Sequence, residues 1–170
     1  MPVQRLNHAV LYVRDLARSL AFYRDVLGFR VTNEIPGTAV FLQAEGSTND
    51  HDLGLFQVGP GARPSEAGRR TVGLYHLAWE VDTLAELARV RAELDRVGAL
   101  TGAADHVTTK ALYARDPDGL EFEVSWLVPA ALITPELTEG APLTAPLDLD
   151  RDTARYGAST RGGVGVSVPA

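Results

Sequence analysis

The sequence predicts an α+β fold of paired βαβββ modules that line a shared cavity with their sheets, and three observations predict it. A short alternating stretch followed by a helical run occurs at residues 8–13 and 16–27, and the same order returns at 75–81 and 84–94. Each helical run ends at a glycine, Gly28 and Gly98, and is followed by β-type segments. Late in the chain, Asp116-Pro117-Asp118-Gly119 is a turn flanked by β-prone residues, which reads as a hairpin. Two half-units of this kind each leave an apolar sheet face that demands a cover.

The elements follow in order. His8-Ala9-Val10-Leu11-Tyr12-Val13 alternates as a strand does, and Asp15 is placed to cap the next helix. Leu16, Leu20, Tyr23 and Leu27 share one face of that helix. Strands are expected at 29–33, 39–43 and 53–58, closing a first module over residues 1–58. A connector rich in Pro, Gly and Arg spans 59–72.

The second module, 73–128, opens with the strand 75–81, and Asp82 or Thr83 caps a helix carrying Leu84, Leu87, Val90 and Leu94. Residues 107–113 and 120–126 supply its closing strands. The remaining stretch, 129–170, changes to Pro, Thr, Ala and Gly, with a short helix at 149–154 and a Gly-rich end at 157–165. No chemistry is legible in it.

Composition removes several classes of function. The chain has 170 residues, 45% of them hydrophobic, enough for one compact core or two small modules. It has no cysteine, which excludes disulfides, thiolate ligands and thiol nucleophiles. A formal charge of −6 argues against a general nucleic-acid binder. No apolar run reaches the length of a membrane span, and no leader is evident, so a cytoplasmic protein is expected.

With four histidines in the chain, each can be placed. His8 and His76 open the two modules, and adding the spacing between them to Leu55 arrives at Glu123. Alternation sets Glu121 and Glu123 opposite Leu120, Phe122 and Val124. Two imidazoles and one carboxylate, with positions left open, form the donor set of non-haem Fe(II) sites that bind substrate and O2 together. The fourth place falls at Leu55, which cannot coordinate.

These residues resemble the vicinal oxygen chelate superfamily of glyoxalases, bleomycin resistance proteins and extradiol dioxygenases. The match is strongest with a small catechol 2,3-type extradiol dioxygenase, over residues 6–128. The resemblance implies that His8, His76 and Glu123 hold the metal, Fe(II) with Mn(II) as the alternative. It implies a catechol-like substrate, O2 and self-association into a homo-oligomer.

It also implies that His51, in His51-Asp52-Leu53-Gly54-Leu55-Phe56, acts on the dioxygen side. Tyr113, before Glu123, would contact substrate and oxygen, and His106 the substrate hydroxyl region. A histidine near its ordinary pKa suits proton transfer there. Asp52 alternates away from His51 and receives no catalytic role. Other members of the scaffold are metal-dependent isomerases, thiol transferases and drug-binding resistance proteins. An isomerase of that kind would place a second Glu near Leu55, where this chain has none.

Overall fold

The computed structural model describes residues 2–3, 5–67, 70–139, 142–163 and 166–167. Arg69 of the connector and Gly165 of the Gly-rich end lie outside the described residues. The described chain is α+β, and it divides into two units, one comprising residues 1–66 with 116–119 and the other 67–115 with 120–170.

In the first unit β1 (Ala9–Val13), α1 (Leu16–Asp25), β2 (Arg30–Ile35), β3 (Ala39–Gln43) and β4 (Leu53–Gln57) follow one another. The sheet order is β1-β4-β3-β2, with β1 parallel to β4 and the other pairs antiparallel. Asp15 accepts from the backbone N–H of Arg18 and so starts α1, as its position in the sequence predicts. The helix lays Leu16, Phe22 and Tyr23 onto the sheet, and they are buried together with Val13, Val40, Leu42, Leu53 and Leu55. Each such side chain contributes about 1.5–3 kcal/mol when fully withdrawn from water. On the opposite face of the sheet Val10 and Tyr12 are exposed, while Phe41 and Phe56 are half-buried.

The turn Asp116–Gly119 counts with this unit. Gly119 takes φ +85°, and its N–H donates to the Asp116 carbonyl at 2.9 Å. The Tyr23 hydroxyl donates to Asp116 at 3.1 Å, while the backbone N–H and guanidinium of Arg14 both donate to Asp118.

The second unit holds β5 (Leu77–Glu80), α2 (Leu84–Arg96), β6 (Leu100–Asp105), β7 (Thr109–Arg115) and β8 (Glu121–Leu127). A 3-10 turn (Ala130–Leu132), α3 (Pro135–Thr138), β9 (Ala145–Pro146) and α4 (Leu149–Tyr156) complete it. The sheet order is β5-β8-β7-β6-β9. Thr83 caps α2, whose Leu84, Leu87, Val90 and Leu94 are all buried, as are Leu112, Ala114, Phe122 and Val124 of the sheet.

The stretch after residue 128 docks on this unit. β9 pairs with β6, and the fully buried Trp126 packs against Tyr156 in a tilted arrangement with ring centroids 5.6 Å apart. The Trp126 indole N–H donates to the Thr160 carbonyl at 3.2 Å. Gly162 passes so close that a Cβ there would lie 2.1 Å from the Leu127 carbonyl oxygen, which leaves glycine as the residue that fits. Beneath this stretch Lys110, 2% exposed, donates to Asp105 at 2.5 Å and to the Val107 carbonyl at 3.1 Å.

Several boundaries depart from expectation. Both opening strands begin one residue after a histidine, so His8 and His76 stand just before β1 and β5. Helix α1 stops short of Leu27. β7 begins at Thr109 because Val107 adopts φ +71°, and Thr108 N–H donates back to the His106 carbonyl. β6 escapes sequence reading because Leu100-Thr101-Gly102-Ala103-Ala104-Asp105 has small residues and no alternation. Its pairing with β7 overrides weak local propensity. The short helix expected at 149–154 is α4, longer by one half-turn.

Two stability predictions follow from these contacts. Burial, then the charge and hydrogen bond of Asp116, raise the Tyr23 phenol well above its ordinary pKa. A pKa raised by folding contributes stability that is complete below the unfolded value of about 10 and is lost as pH climbs through the folded value. In urea unfolding at neutral pH Tyr23→Phe should cost about 1.5–3 kcal/mol, and it should flatten the alkaline fall in stability. Lys110→Ala leaves the Asp105 charge without its buried ammonium and should cost about 3–5 kcal/mol in the same assay.

Candidate metal and proton-transfer site

In the second unit β8 lies between β5 and β7, and its register sets the site. Ala78, Glu123 and Tyr113 are direct neighbours across the three strands. His76, just ahead of β5, reaches the same level, and its Nε2 stands 3.4 Å from Glu123 Oε2. Its Nδ1 is buried and has no hydrogen-bond partner among the described residues. Glu121 is drawn aside by Arg115 at 2.6 Å, which separates it from Glu123 in role.

Tyr113 adjoins His76, with ring centroids 6.2 Å apart. Burial first, then the charges of Glu123 and Tyr75, raise its phenol above the ordinary value. It is therefore a neutral hydroxyl across the physiological range. Its oxygen lies 2.7 Å from His106 Nε2, while His106 Nδ1 lies 3.0 Å from the Leu143 carbonyl oxygen.

In the first unit the rings of His8 and His51 face one another with centroids 4.5 Å apart, and Phe41 abuts His51 edge-on at 5.1 Å. His8 Nδ1 lies 2.7 Å from Asn7 Oδ1, and His51 Nδ1 lies 2.9 Å from Asp50 Oδ2. The hydrogen bond from His51 holds the Asp50 carboxyl below its ordinary range. In the neutral rings, oxygen acceptors on both Nδ1 atoms place the proton there and make each Nε2 the acceptor, the arrangement of a metal ligand or a base. Asp52 accepts from the Ala44 N–H, Ser47 Oγ and Asn49 Nδ2, so it shapes the loop ahead of β4.

The register corrects one sequence-based correspondence. Val10 pairs with Gly54, which pairs with Phe41, in the positions that Ala78, Glu123 and Tyr113 occupy in the second unit. The counterpart of Glu123 is Gly54 and not Leu55, because β8 is shifted by one residue against β5 relative to β4 against β1. Leu55 is fully buried in the core.

The structure thus brings together His76 with Glu123, His106 with Tyr113, and His8 with His51. Among the described residues no group of three or more His, Cys, Asp or Glu side chains stands together as a metal cage. The His76 and Glu123 pair nonetheless fits a divalent ion. A separation of 3.4 Å is longer than a charge-assisted hydrogen bond of about 2.7–2.9 Å. It suits two donors each about 2.0–2.2 Å from one ion. Sequence reading missed the orienting partners Asn7, Asp50 and Leu143. For the first two a signal existed, since Asn7-His8 and Asp50-His51 both place an oxygen acceptor directly before the imidazole.

Fold and residues together define a class, and residues 5–124 match the family model of the Glyoxalase/Bleomycin resistance protein/Dioxygenase superfamily. The chain belongs to that superfamily. It is 35% identical over 119 residues to the catechol-2,3-dioxygenase of Bacillus subtilis, covering 70% of this chain and 40% of that protein. It is 35% identical over 121 residues to the biphenyl-2,3-diol 1,2-dioxygenase 3 of Rhodococcus globerulus, covering 71% of this chain and 62% of that one. The chain thus spans about two fifths and three fifths of these two relatives. The crystal structure of lactoylglutathione lyase from Agrobacterium tumefaciens superposes with TM-score 0.54 at 26% identity, over 74% of this chain and 95% of that one. No helix among the described residues is long and apolar enough to cross a membrane.

Proposed function

We propose that the protein is an extradiol ring-cleaving dioxygenase acting on a catechol-type aromatic, with His8, His76 and Glu123 as ligands of Fe(II) or Mn(II). One observation carries this reading: Gly54 stands at the place where the second unit has Glu123, so the duplicated scaffold supplies one carboxylate and not two. A donor set short of one side chain leaves coordination positions for a diol and O2. The likeness to two ring-cleaving dioxygenases supports it. The likeness to a lactoylglutathione lyase favours a metal-dependent isomerase as the second reading. The missing second carboxylate speaks against that one.

The metal, when bound, supplies an electronic route between a closed-shell aromatic and O2. The chain's own residues manage protons and position. His51 Nε2 carries a lone pair, so it can take a proton and return it, while the Asp50 carboxylate on Nδ1 stabilises the charged ring. Tyr113, held neutral, sets its phenol oxygen within reach of a substrate hydroxyl, with His106 Nε2 2.7 Å behind it. Phe41 and Phe56, edge-to-face with centroids 5.9 Å apart, form an apolar surface beside His51 on which an aromatic ring can rest. A cytoplasmic homo-oligomer is the proposed setting, supported by the exposed Val10 and Tyr12.

Protein loaded anaerobically with Fe(II) should consume O2 and form a yellow ring-opened product when air is admitted with substituted catechols. Absence of O2 uptake across the panel, with isomerisation of a thiohemiacetal in its place, would transfer the assignment to the second reading. His51→Gln should retain metal by elemental analysis and lose about 10²–10⁴-fold in turnover, the usual contribution of a proton-transfer group.

A further inference from the structure

Val107 carries a feature that the site as described does not use. It is a β-branched residue at φ +71°, a conformation that costs free energy and persists where the surroundings fix it. The surroundings here do so. Asp105 Oδ1 accepts the Val107 N–H at 2.8 Å and the buried Lys110 ammonium at 2.5 Å. Asp105 Oδ2 accepts from Arg151 of α4 at 2.8 Å. The Lys110 ammonium closes the loop on the Val107 carbonyl at 3.1 Å, and His106 N–H donates to the Thr109 carbonyl at 2.8 Å. β9 pairs its Ala145 with Asp105.

This clamp delivers His106 to an oxygen acceptor from the C-terminal stretch. His106 Nδ1 lies 3.0 Å from the Leu143 carbonyl and 3.2 Å from Thr144 Oγ1, and its Nε2 lies 2.7 Å from the Tyr113 hydroxyl. A carbonyl oxygen accepts and never donates, so Nδ1 bears the proton. In the neutral ring Nε2 is then an acceptor, and the Tyr113 hydroxyl donates to it. The Leu143 side chain is 89% exposed, so its part in this is confined to the main chain.

We propose that the stretch after residue 128 is a positioning element of the active site. By clamping residues 105–107 and presenting the Leu143 carbonyl, it fixes the Nδ1–H tautomer of His106. The Tyr113 proton is thereby turned toward His106, and the lone pairs of its oxygen are turned toward the substrate. Tyr113 then accepts a hydrogen bond from a substrate hydroxyl, and that proton can pass along Tyr113 to His106 Nε2 without any movement of a side chain. The functional part of this inference rests on the dioxygenase reading, and the tautomer itself does not.

The test is long-range 1H–15N correlation on metal-free protein labelled with 15N-histidine at a pH where His106 is neutral. Subtraction of the His106→Gln spectrum assigns the ring. The expected result is a single tautomer, with the proton on Nδ1 and a bare Nε2. A predominant Nε2–H form overturns the proposal. Arg151→Ala removes the link from α4 to Asp105 at a side chain that is 53% exposed. It should collapse the single-tautomer signature into an averaged pair of signals, and an unchanged spectrum overturns the role of the stretch. Leu143→Ala keeps the carbonyl and should leave the tautomer intact. Failure of ring cleavage with an Nδ1–H signature removes the dioxygenase reading alone, whereas ring cleavage with an Nε2–H signature removes this one alone.

Discussion

The site depends on how one strand is hemmed in. β8 runs parallel to β5 on one side and antiparallel to β7 on the other, so its register is fixed twice. Side chains in a sheet alternate between faces, and a slip of one residue would send Glu123 into the core and bring Phe122 out. The cost of burying a carboxylate in place of Phe122, 3% exposed, forbids that slip. Once β8 is fixed, Tyr113 must stand beside Glu123, and His76 must enter at the same level from the start of β5.

The same topology in the first unit gives a different outcome. β4 is also held between a parallel and an antiparallel neighbour, yet the residue at the level of Glu123 is Gly54 and the one at the level of Tyr113 is Phe41. A duplicated fold thus offers equivalent positions and fills them unequally. One half supplies a carboxylate and a phenol, and the other supplies an apolar ring and a gap. Chemistry on this scaffold is decided by such differences in occupancy, since the backbone alone is common to isomerases and dioxygenases.

Much of the fold was legible because its signals are local. Asp15 and Thr83 cap helices, Gly28 and Gly98 follow their ends at positive φ, and Gly119 closes the hairpin turn. β6 and β9 were not legible because their pairing is set by neighbours far along the chain. Of the candidate site, His8, His51, His76, His106, Tyr113 and Glu123 could be named from the sequence, and the structure sets His76 beside Glu123, His106 beside Tyr113 and His8 beside His51. The correspondence of Gly54 with Glu123 could not, since it rests on register between strands, which a fixed spacing along the chain reports only to within a residue. Lys110 was also missed, because a lysine on a strand reads as solvent-facing until Asp105 and Asp152 are found beside it.

The passage of Gly162 against the Leu127 carbonyl bears on how this tail can change. Everywhere that the tail meets the body through side chains, substitution can be graded, a methyl lost here or a charge moved there. At Gly162 the gap admits no methyl at all, so variation there is all or nothing: a mutant either keeps the bare backbone or lifts the tail away from Leu127 and Trp126. A single nucleotide change at that codon would therefore act like a truncation of the tail while leaving the chain at full length.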